Sequence, residues 1–312
     1  MFVCEVRDRG FAHFQHILHH WANDMRTYFD CIPCFLRQAL DSVRLITQDE
    51  AVQQEVLRKT LRAASEMNFS DPPPAMGRRV HRIIRACTGN TDPYAAVKAR
   101  STEFALELLP EMEQRVRESK TPLSTALKLS IAGNIIDFGV KGDVGHDEVK
   151  RSMEKAFHAG LDIATVAEFQ SAFQRAERIL FLADNAGEVV FDRPLLKLLP
   201  MERIMYVVRG APVINDATLA DAQAAGIHEL VEVMDNGSDA PGTLLSSCGR
   251  SFLDIYQKAD LVIAKGQGNY ETLSGENKQI FFLLQAKCPI ISRSLGCPQG
   301  TFVFRKGVPF IL

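Results

Sequence analysis

Leu182-Ala183-Asp184-Asn185-Ala186-Gly187-Glu188 is the stretch on which the fold turns. Before it, residues 178–183 (Arg-Ile-Leu-Phe-Leu-Ala) form a short apolar run that reads as a buried strand. After it, residues 189–199 carry helix-like apolar spacing until Pro200 stops them. In open α/β sheets, ligands bind in the crevice beyond the carboxyl ends of the strands. An Asp-Asn pair at that place offers hard oxygen atoms to Mg²⁺ or Mn²⁺, and the N–H groups of the following helix can meet a phosphate. The same residues also make an ordinary capped turn, because Asp and Asn cap helices and Gly permits the bend.

Outward from this point the chain has two rhythms. From about residue 34 to 174 the pattern is helical, with Leu36, Ala39, Leu40 and Val43, and then Val52, Val56 and Leu61, at helix spacing. Pro72-Pro73-Pro74 and Gly89-Asn90-Thr91-Asp92-Pro93 punctuate the segments. Longer helices are expected over 97–116 and 123–138. Beyond residue 175 four short apolar strands follow, at 178–183, 203–208, 229–234 and 260–264. A fifth is expected at 288–292 and an edge strand at 301–305. Helices are expected between them at 189–199, 217–225, 243–258 and 275–287. This alternation implies right-handed crossovers and a doubly wound, mostly parallel sheet, a Rossmann-like three-layer α/β arrangement. The expected organisation is an extension at 1–24, a helical domain over 25–175 packed closely on an α/β domain over 176–312.

Each strand should deliver polar residues to the same edge. These are Asp184-Asn185-Ala186-Gly187, Arg209-Gly210 through Asn215-Asp216, Asp235-Asn236-Gly237, Lys265-Gly266-Gln267-Gly268-Asn269, and Ser294-Leu295-Gly296. Any one of them is explained by a cap or a tight turn. Five at one edge point to a ligand site. Asp184, Asn185 and Asp216 would give a hard divalent cation two carboxylates and an amide oxygen. Lys265 and Arg209 suit phosphoryl oxygens, Gly266 and Gly268 let backbone N–H groups approach a phosphate, and Asn269 stands with them as a substrate contact. There is no G-x-x-x-x-G-K-[ST] loop, and no G-x-G-x-x-G follows the first strand. Haloacid-dehalogenase phosphatases require Asp-x-Asp at this place, where Ala186 occupies the second position.

The 312 residues, 46% hydrophobic and 24% charged, suit a globular protein with a substantial core, and length suggests about two domains. Net charge is −2, from 36 basic and 38 acidic residues. Nothing in this balance calls for nucleic acid or a membrane surface as partner. No apolar run approaches the roughly 20 residues that span a bilayer, and Glu5 and Asp8 make a poor signal peptide. Seven cysteines, an odd number, indicate reduced thiols and a cytoplasmic location. Oligomeric state is not legible.

Three motifs together carry a resemblance: Leu182-Ala-Asp184-Asn185-Ala-Gly-Glu-Val-Val-Phe-Asp192, Val208-Arg-Gly-Ala-Pro-Val-Ile-Asn-Asp216-Ala-Thr, and Ile263-Ala-Lys265-Gly-Gln-Gly-Asn269-Tyr-Glu-Thr-Leu. They resemble the metal-dependent damage-control phosphatases, a family long known as a domain of unknown function. Arg26-Thr-Tyr-Phe-Asp30-Cys31-Ile-Pro-Cys34-Phe-Leu-Arg-Gln-Ala resembles the opening of its prokaryotic branch, and Ala132-Gly133-Asn134-Ile-Ile-Asp137-Phe-Gly139 its central helical motif. The resemblance runs from about Met25 to the C-terminus. It implies hydrolysis of small phosphorylated metabolites, sugar or cofactor phosphates, with Mn, Mg, Co or Ni as the divalent metal. It also implies metal ligation by Asp184, Asn185 and Asp216, with Asn134, Asp137 and Lys265 lining the site. On this reading Lys265 stabilises the transition state, and the nucleophile is either water or the Asp184 carboxylate.

The Cys31-Ile-Pro-Cys34 pair is open to three readings: a second metal site, a redox pair, or two thiols packed in a reduced interior. Zinc would need two more ligands, such as His16 and His20; the histidines at 13, 16, 19 and 20 are otherwise incidental. Residues 1–24 are either an extension or the product of a start codon placed too early, which detection of peptides before Met25 would decide. Arg78, Arg79, Arg82 and Arg85 could select acidic metabolites or form a solvated face. Two rival functions share the architecture: a non-catalytic nucleotide-binding module, and a carboxyl methyltransferase using S-adenosylmethionine, which the missing Gly-rich loop disfavours.

Overall fold

The computed structural model describes residues 25–133 and 146–307. Asn134 and Asp137, the extension 1–24 and its histidines lie outside the described residues. Among the described residues seven helices precede the sheet: α1 (Cys31–Ile46), α2 (Glu50–Ser65), α3 (Pro73–Thr88), α4 (Ala95–Glu118), α5 (Pro122–Ala132), α6 (His146–His158) and α7 (Ile163–Arg175). Asp49 and Asp162 cap α2 and α7, each side chain accepting from a backbone N–H of the first turn.

The α/β part runs β1 (Ile179–Leu182), α8 (Glu188–Leu196), β2 (Ile204–Val208), α9 (Leu219–Ala224), β3 (Glu232–Asp235), α10 (Arg250–Lys258), β4 (Leu261–Lys265), α11 (Gly266–Leu273), β5 (Ile280–Gln285), α12 (Pro289–Leu295) and β6 (Phe302–Lys306). The six strands lie in the order β3-β2-β1-β4-β5-β6, parallel except for β6, which pairs antiparallel with β5 at the edge. Strand order therefore reverses between β1 and β4. That switch point opens a crevice at the carboxyl ends of these two strands. The expected α/β sheet is present.

Two elements differ from expectation. Residues 275–287 were expected to be helical and 288–292 a strand, whereas β5 is Ile280–Gln285 and Pro289–Leu295 is helix α12. Ile280-Phe281-Phe282-Leu283-Leu284 is buried on both faces, so it has no period-2 alternation to separate it from a buried helix. Pro289 occupies the first turn of α12, where its missing N–H costs nothing, rather than sitting inside a strand. The loop that follows β5 is consequently Ala286-Lys287-Cys288, and Ser294-Leu295-Gly296 ends a helix. The helix α11, which opens directly at Gly266, was not foreseen.

Alternate strand residues feed two cores. Ile179, Phe181, Tyr206, Ile263 and Phe281 pack with Leu108, Met112, Leu127, Val190 and Phe191 from α4, α5 and α8. Leu180, Leu182, Val207, Val262 and Phe282 pack with Phe252, Tyr256 and Ile291 from α10 and α12. The change of rhythm at residue 175 is thus not a change of core, because α4 and α5 bury into the sheet. Helices α1–α3 form a separate cluster around Phe35, Val43, Val56, Val80 and Ile84. Asp239, in the segment after β3, clamps α3 to the sheet. It accepts from Arg78 Nε at 2.5 Å, Arg82 Nε at 2.7 Å and Arg85 Nη2 at 2.5 Å. Three of the four arginines flagged in the sequence are therefore structural, and Arg79 pairs with Glu66. Among the described residues no helix is long and apolar enough to cross a membrane.

Candidate active site

The first two strand-end loops are zipped together by their own backbones. Ala217 N–H donates to Asp184 O at 2.7 Å, and Ala186 N–H to Asn215 O at 2.9 Å, so Asn185 and Asp216 face each other as an isolated antiparallel bridge. This pairing brings Asp184, Asn185 and Asp216 to the floor of a cleft of about 380 Å³. The Asn185 amide nitrogen donates to Asp184 Oδ2 at 3.2 Å and to Glu188 Oε2 at 3.1 Å. With its nitrogen spent on the acids, the amide oxygen is what Asn185 has to offer a cation. Ile214, just before the pair, lines the cleft with φ 46, a left-handed conformation that a β-branched residue adopts only under strain.

Gly266 opens α11 at φ +77 and abuts the Asp184 carboxylate, with which any Cβ at this position would collide. The ends of β1 and β4 therefore touch at the switch point only because residue 266 has no side chain. Gly268 lines the cleft. Asn269 does not: it is fully buried, its amide nitrogen donating to Ala183 O at 3.0 Å and Lys265 O at 2.8 Å, its oxygen accepting from Thr243 Oγ1. It ties β1, β4 and the segment after β3 together from behind the floor.

The two cations named in the sequence also lie behind the floor. Arg209, 1% exposed, donates from Nε to Asp216 Oδ2 at 2.6 Å and from Nη2 to Ala183 O at 3.2 Å, and stands 4.0 Å from Asp184 Oδ1. Lys265 is fully buried, 2.6 Å from both Glu188 Oε1 and Asp192 Oδ1, and donates to Ser130 O at 2.9 Å. Asp192 accepts in addition from Ser130 Oγ at 2.6 Å and Tyr206 Oη at 2.7 Å. Neither cation lines the cleft. Glu188 and Asp192, not singled out from the sequence, are one helical turn apart on α8. That i,i+4 spacing immediately after Asn185 was the available signal.

The electrostatics follow from this crowding. Burial, then Glu188 and Asp216, hold the Asp184 carboxyl well above the usual carboxylate range, against Arg209 and Lys287. Burial raises Asp216 too, opposed by the Arg209 guanidinium. Burial works against the Lys265 ammonium, but Asp192 and Glu188 outweigh it and hold its pKa above the usual lysine value. Among the described residues no three His, Cys, Asp or Glu side chains converge on a metal position. A cation here would depend on the Asn185 amide as third donor.

The outer walls come from elsewhere. Cys31 and Cys34 at the start of α1 line the cleft with Phe35, and so do Lys287 and Cys288 from the turn after β5 and Glu271 from α11. The cysteines are free thiols, and burial pushes Cys31 up to about 11, which keeps it protonated and slow in thiol exchange. Burial also raises Glu271 to about 7, with Gln267 Nε2 donating to it at 2.7 Å. The α5 helix that leads toward Asn134 lies on α8. A Cβ on Gly133 would come 3.0 Å from Glu188 Cγ.

Comparison with known proteins places the chain among relatives. Residues 27–303 match the model of the damage-control phosphatase ARMT1-like domain. A protein named damage-control phosphatase from Archaeoglobus fulgidus is 36% identical over 282 residues, which is 88% of this chain and 96% of that protein. One of the same name from Pyrococcus horikoshii is 34% identical over 284 residues, 89% of this chain and 97% of the relative. An uncharacterised protein of Methanocaldococcus jannaschii is 33% identical over 288 residues, 89% and 94% of the two chains. The crystal structure of a DUF89 family protein from Pyrococcus horikoshii superposes with a TM-score of 0.82 at 33% identity, covering 91% of this chain and all of that one.

Proposed function

The chain belongs to the damage-control phosphatase ARMT1-like family, and on that premise we propose that it is a divalent-metal-dependent phosphomonoesterase for small phosphorylated metabolites. The observation that carries this reading is the backbone bridge that joins Asp184, Asn185 and Asp216 at the cleft floor. The donor set is all oxygen and suits Mn²⁺, Mg²⁺, Co²⁺ or Ni²⁺. Four acids, Asp184, Asp216, Glu188 and Asp192, cluster beside the buried cations Arg209 and Lys265. A cluster of buried carboxylates of this kind is what a divalent ion stabilises. When bound, such an ion supplies charge neutralisation at phosphoryl oxygens.

The remaining work falls to side chains of the chain itself. Arg209 fixes Asp216, and Asn185 holds Asp184 and Glu188 at hydrogen-bond distance, so the acids do not reorganise when substrate arrives. Lys265 acts from beneath as the counter-charge shared by Glu188 and Asp192. Asp184, at the cleft, is the carboxylate placed to attack phosphorus or to orient water for attack; the two routes differ in whether a phospho-enzyme forms. Free cysteines at six described positions support a reducing, cytoplasmic setting.

The test is hydrolysis of p-nitrophenyl phosphate and a panel of sugar and cofactor phosphates by EDTA-stripped protein given each of the four metals. Metal-restored turnover is expected, with Asp184→Ala and Asp216→Ala folded but inactive. Near-wild-type turnover by folded Asp184→Ala would overturn the assignment. So would tight nucleotide binding, or methyl transfer to an acidic acceptor, without hydrolysis in any metal.

A further inference from the structure

We infer that Ile214 determines specificity in this cleft, its side chain packing against an apolar face on the alcohol part of the phosphate ester, an inference that rests on the phosphatase reading above. Residues 213–216 form a turn closed by Asp216 N–H, which donates to Val213 O at 3.1 Å. Ile214 is the second residue of that turn, with φ 46, and among the described residues no other non-glycine residue has a positive φ. Turns that need a positive φ at this position take Gly, Asn or Asp. A β-branched side chain is among the least suited to it, because its Cβ substituents crowd the backbone there.

Neither the turn nor the core accounts for this residue. Glycine would make the same turn, and would bring Asn215 O to Ala186 and Asp216 to the floor, without the strain. Ile214 belongs to none of the three apolar clusters and is only half-buried, so packing inside the protein does not offset the cost. What its side chain does have is the cleft, which it lines beside Asn215 and Asp216. Strain at such a place marks a side chain held there for what it contacts. The same cleft is lined by Phe35 from α1, Pro73 and Pro74 from α3, Pro241 from the segment after β3 and Ile290 from α12. Apolar side chains from separate parts of the chain thus surround an acidic floor. The ligand that fits carries its phosphoryl group at one end and an apolar face, aromatic or aliphatic, next to the ester oxygen. A polyol with a hydroxyl on every carbon would strand those hydroxyls against this collar.

The experiment is competitive inhibition of p-nitrophenyl phosphate hydrolysis by phenylphosphonate and by methylphosphonate, with thermal melts alongside. It uses manganese-loaded wild type, Ile214→Val, Ile214→Ala and Ile214→Gly. Ile214→Ala should weaken phenylphosphonate by about tenfold, the loss expected for the apolar atoms removed, and methylphosphonate by no more than about twofold. Ile214→Val should keep most of the affinity for phenylphosphonate. Ile214→Gly should lose as much of it as Ile214→Ala, yet melt about 2 °C higher, because glycine alone relieves the backbone. Equal weakening of the two phosphonates, or of neither, would overturn the proposal while leaving the phosphatase reading intact. So would Ile214→Gly melting at or below Ile214→Ala. Wild type that hydrolyses no phosphate ester with any of the metals would overturn both.

Discussion

Arg209 reaches Asp216 from behind the cleft, its Nε donating to Oδ2 at 2.6 Å with only 1% of the residue exposed. The same arrangement recurs on the other side of the floor, where Lys265 backs Glu188 and Asp192. Each buried cation thus serves a pair of acids, one pair from the strand-end loops and one from a single face of α8. The acids are held from behind, and Asp184 and Asp216 face the cleft.

Arg209→Met should destabilise the protein by about 3–5 kcal/mol, because it leaves the Asp216 carboxylate buried beside Asp184 with its cation removed. Arg209→Lys keeps the charge but cannot reach Asp216, Thr243 and Ala183 O together, and should recover only part of that loss. Urea denaturation of the metal-free proteins measures both. A midpoint unchanged in Arg209→Met would mean that the pair contributes nothing.

Lys265→Met tests the second pair. Two buried acids lose their shared cation, so a cost of about 3–5 kcal/mol is expected. Adding Asp192→Asn should return much of it, since one of the stranded charges is then gone. Tyr206→Phe, which removes one hydrogen bond to Asp192, should cost only about 1 kcal/mol. Additive effects in the Lys265→Met, Asp192→Asn double variant would refute the coupling.

Gly266→Ala separates backbone strain from steric collision. Gly89 and Gly266 both have left-handed backbones, at φ +70 and φ +77, but a Cβ at 89 meets nothing within 4 Å whereas one at 266 strikes the Asp184 carboxylate. Gly89→Ala should therefore cost about 1 kcal/mol and leave turnover unchanged. Gly266→Ala should cost more, and by displacing Asp184 should lower turnover by about a hundredfold. Equal effects of the two substitutions in melting and in kinetics would show that the contact with Asp184 is of no consequence.

What was legible in the sequence is what local pattern determines. Residues 178–183 announced β1 because an apolar run there breaks at Asp184, and Asp184, Asn185 and Asp216 stood out because strand ends in such a sheet share an edge. β5 was missed because Ile280–Gln285 is apolar on both faces, and only the neighbouring strand decides its conformation. Lys265 looked like a phosphate ligand because its partners Glu188 and Asp192 come from a helix more than seventy residues earlier. Lys287 and Glu271 were passed over for the opposite reason: nothing local marks them, and only the packing of α1, α11 and α12 around one cleft gives them a common neighbour.

Glu271 gives a pH signature of its own. Burial raises its carboxyl from 4.5 to about 7, with only Gln267 donating to lower it. A folded-state pKa above the unfolded one means that the protonated side chain favours the folded state. That contribution is complete below pH 4.5 and is lost as pH rises through 7. The full shift corresponds to about 3 kcal/mol, but the residue is partly open to the cleft, so about 1–2 kcal/mol is the reasonable expectation. Glu271→Gln keeps the shape and cannot ionise. Its melting point should match wild type near pH 4.5 and exceed it by a few degrees, about 3 °C, at pH 8. Melting curves of the two proteins that run parallel between those pH values would show that Glu271 is solvated like an ordinary surface acid and that the wall it belongs to is not dry.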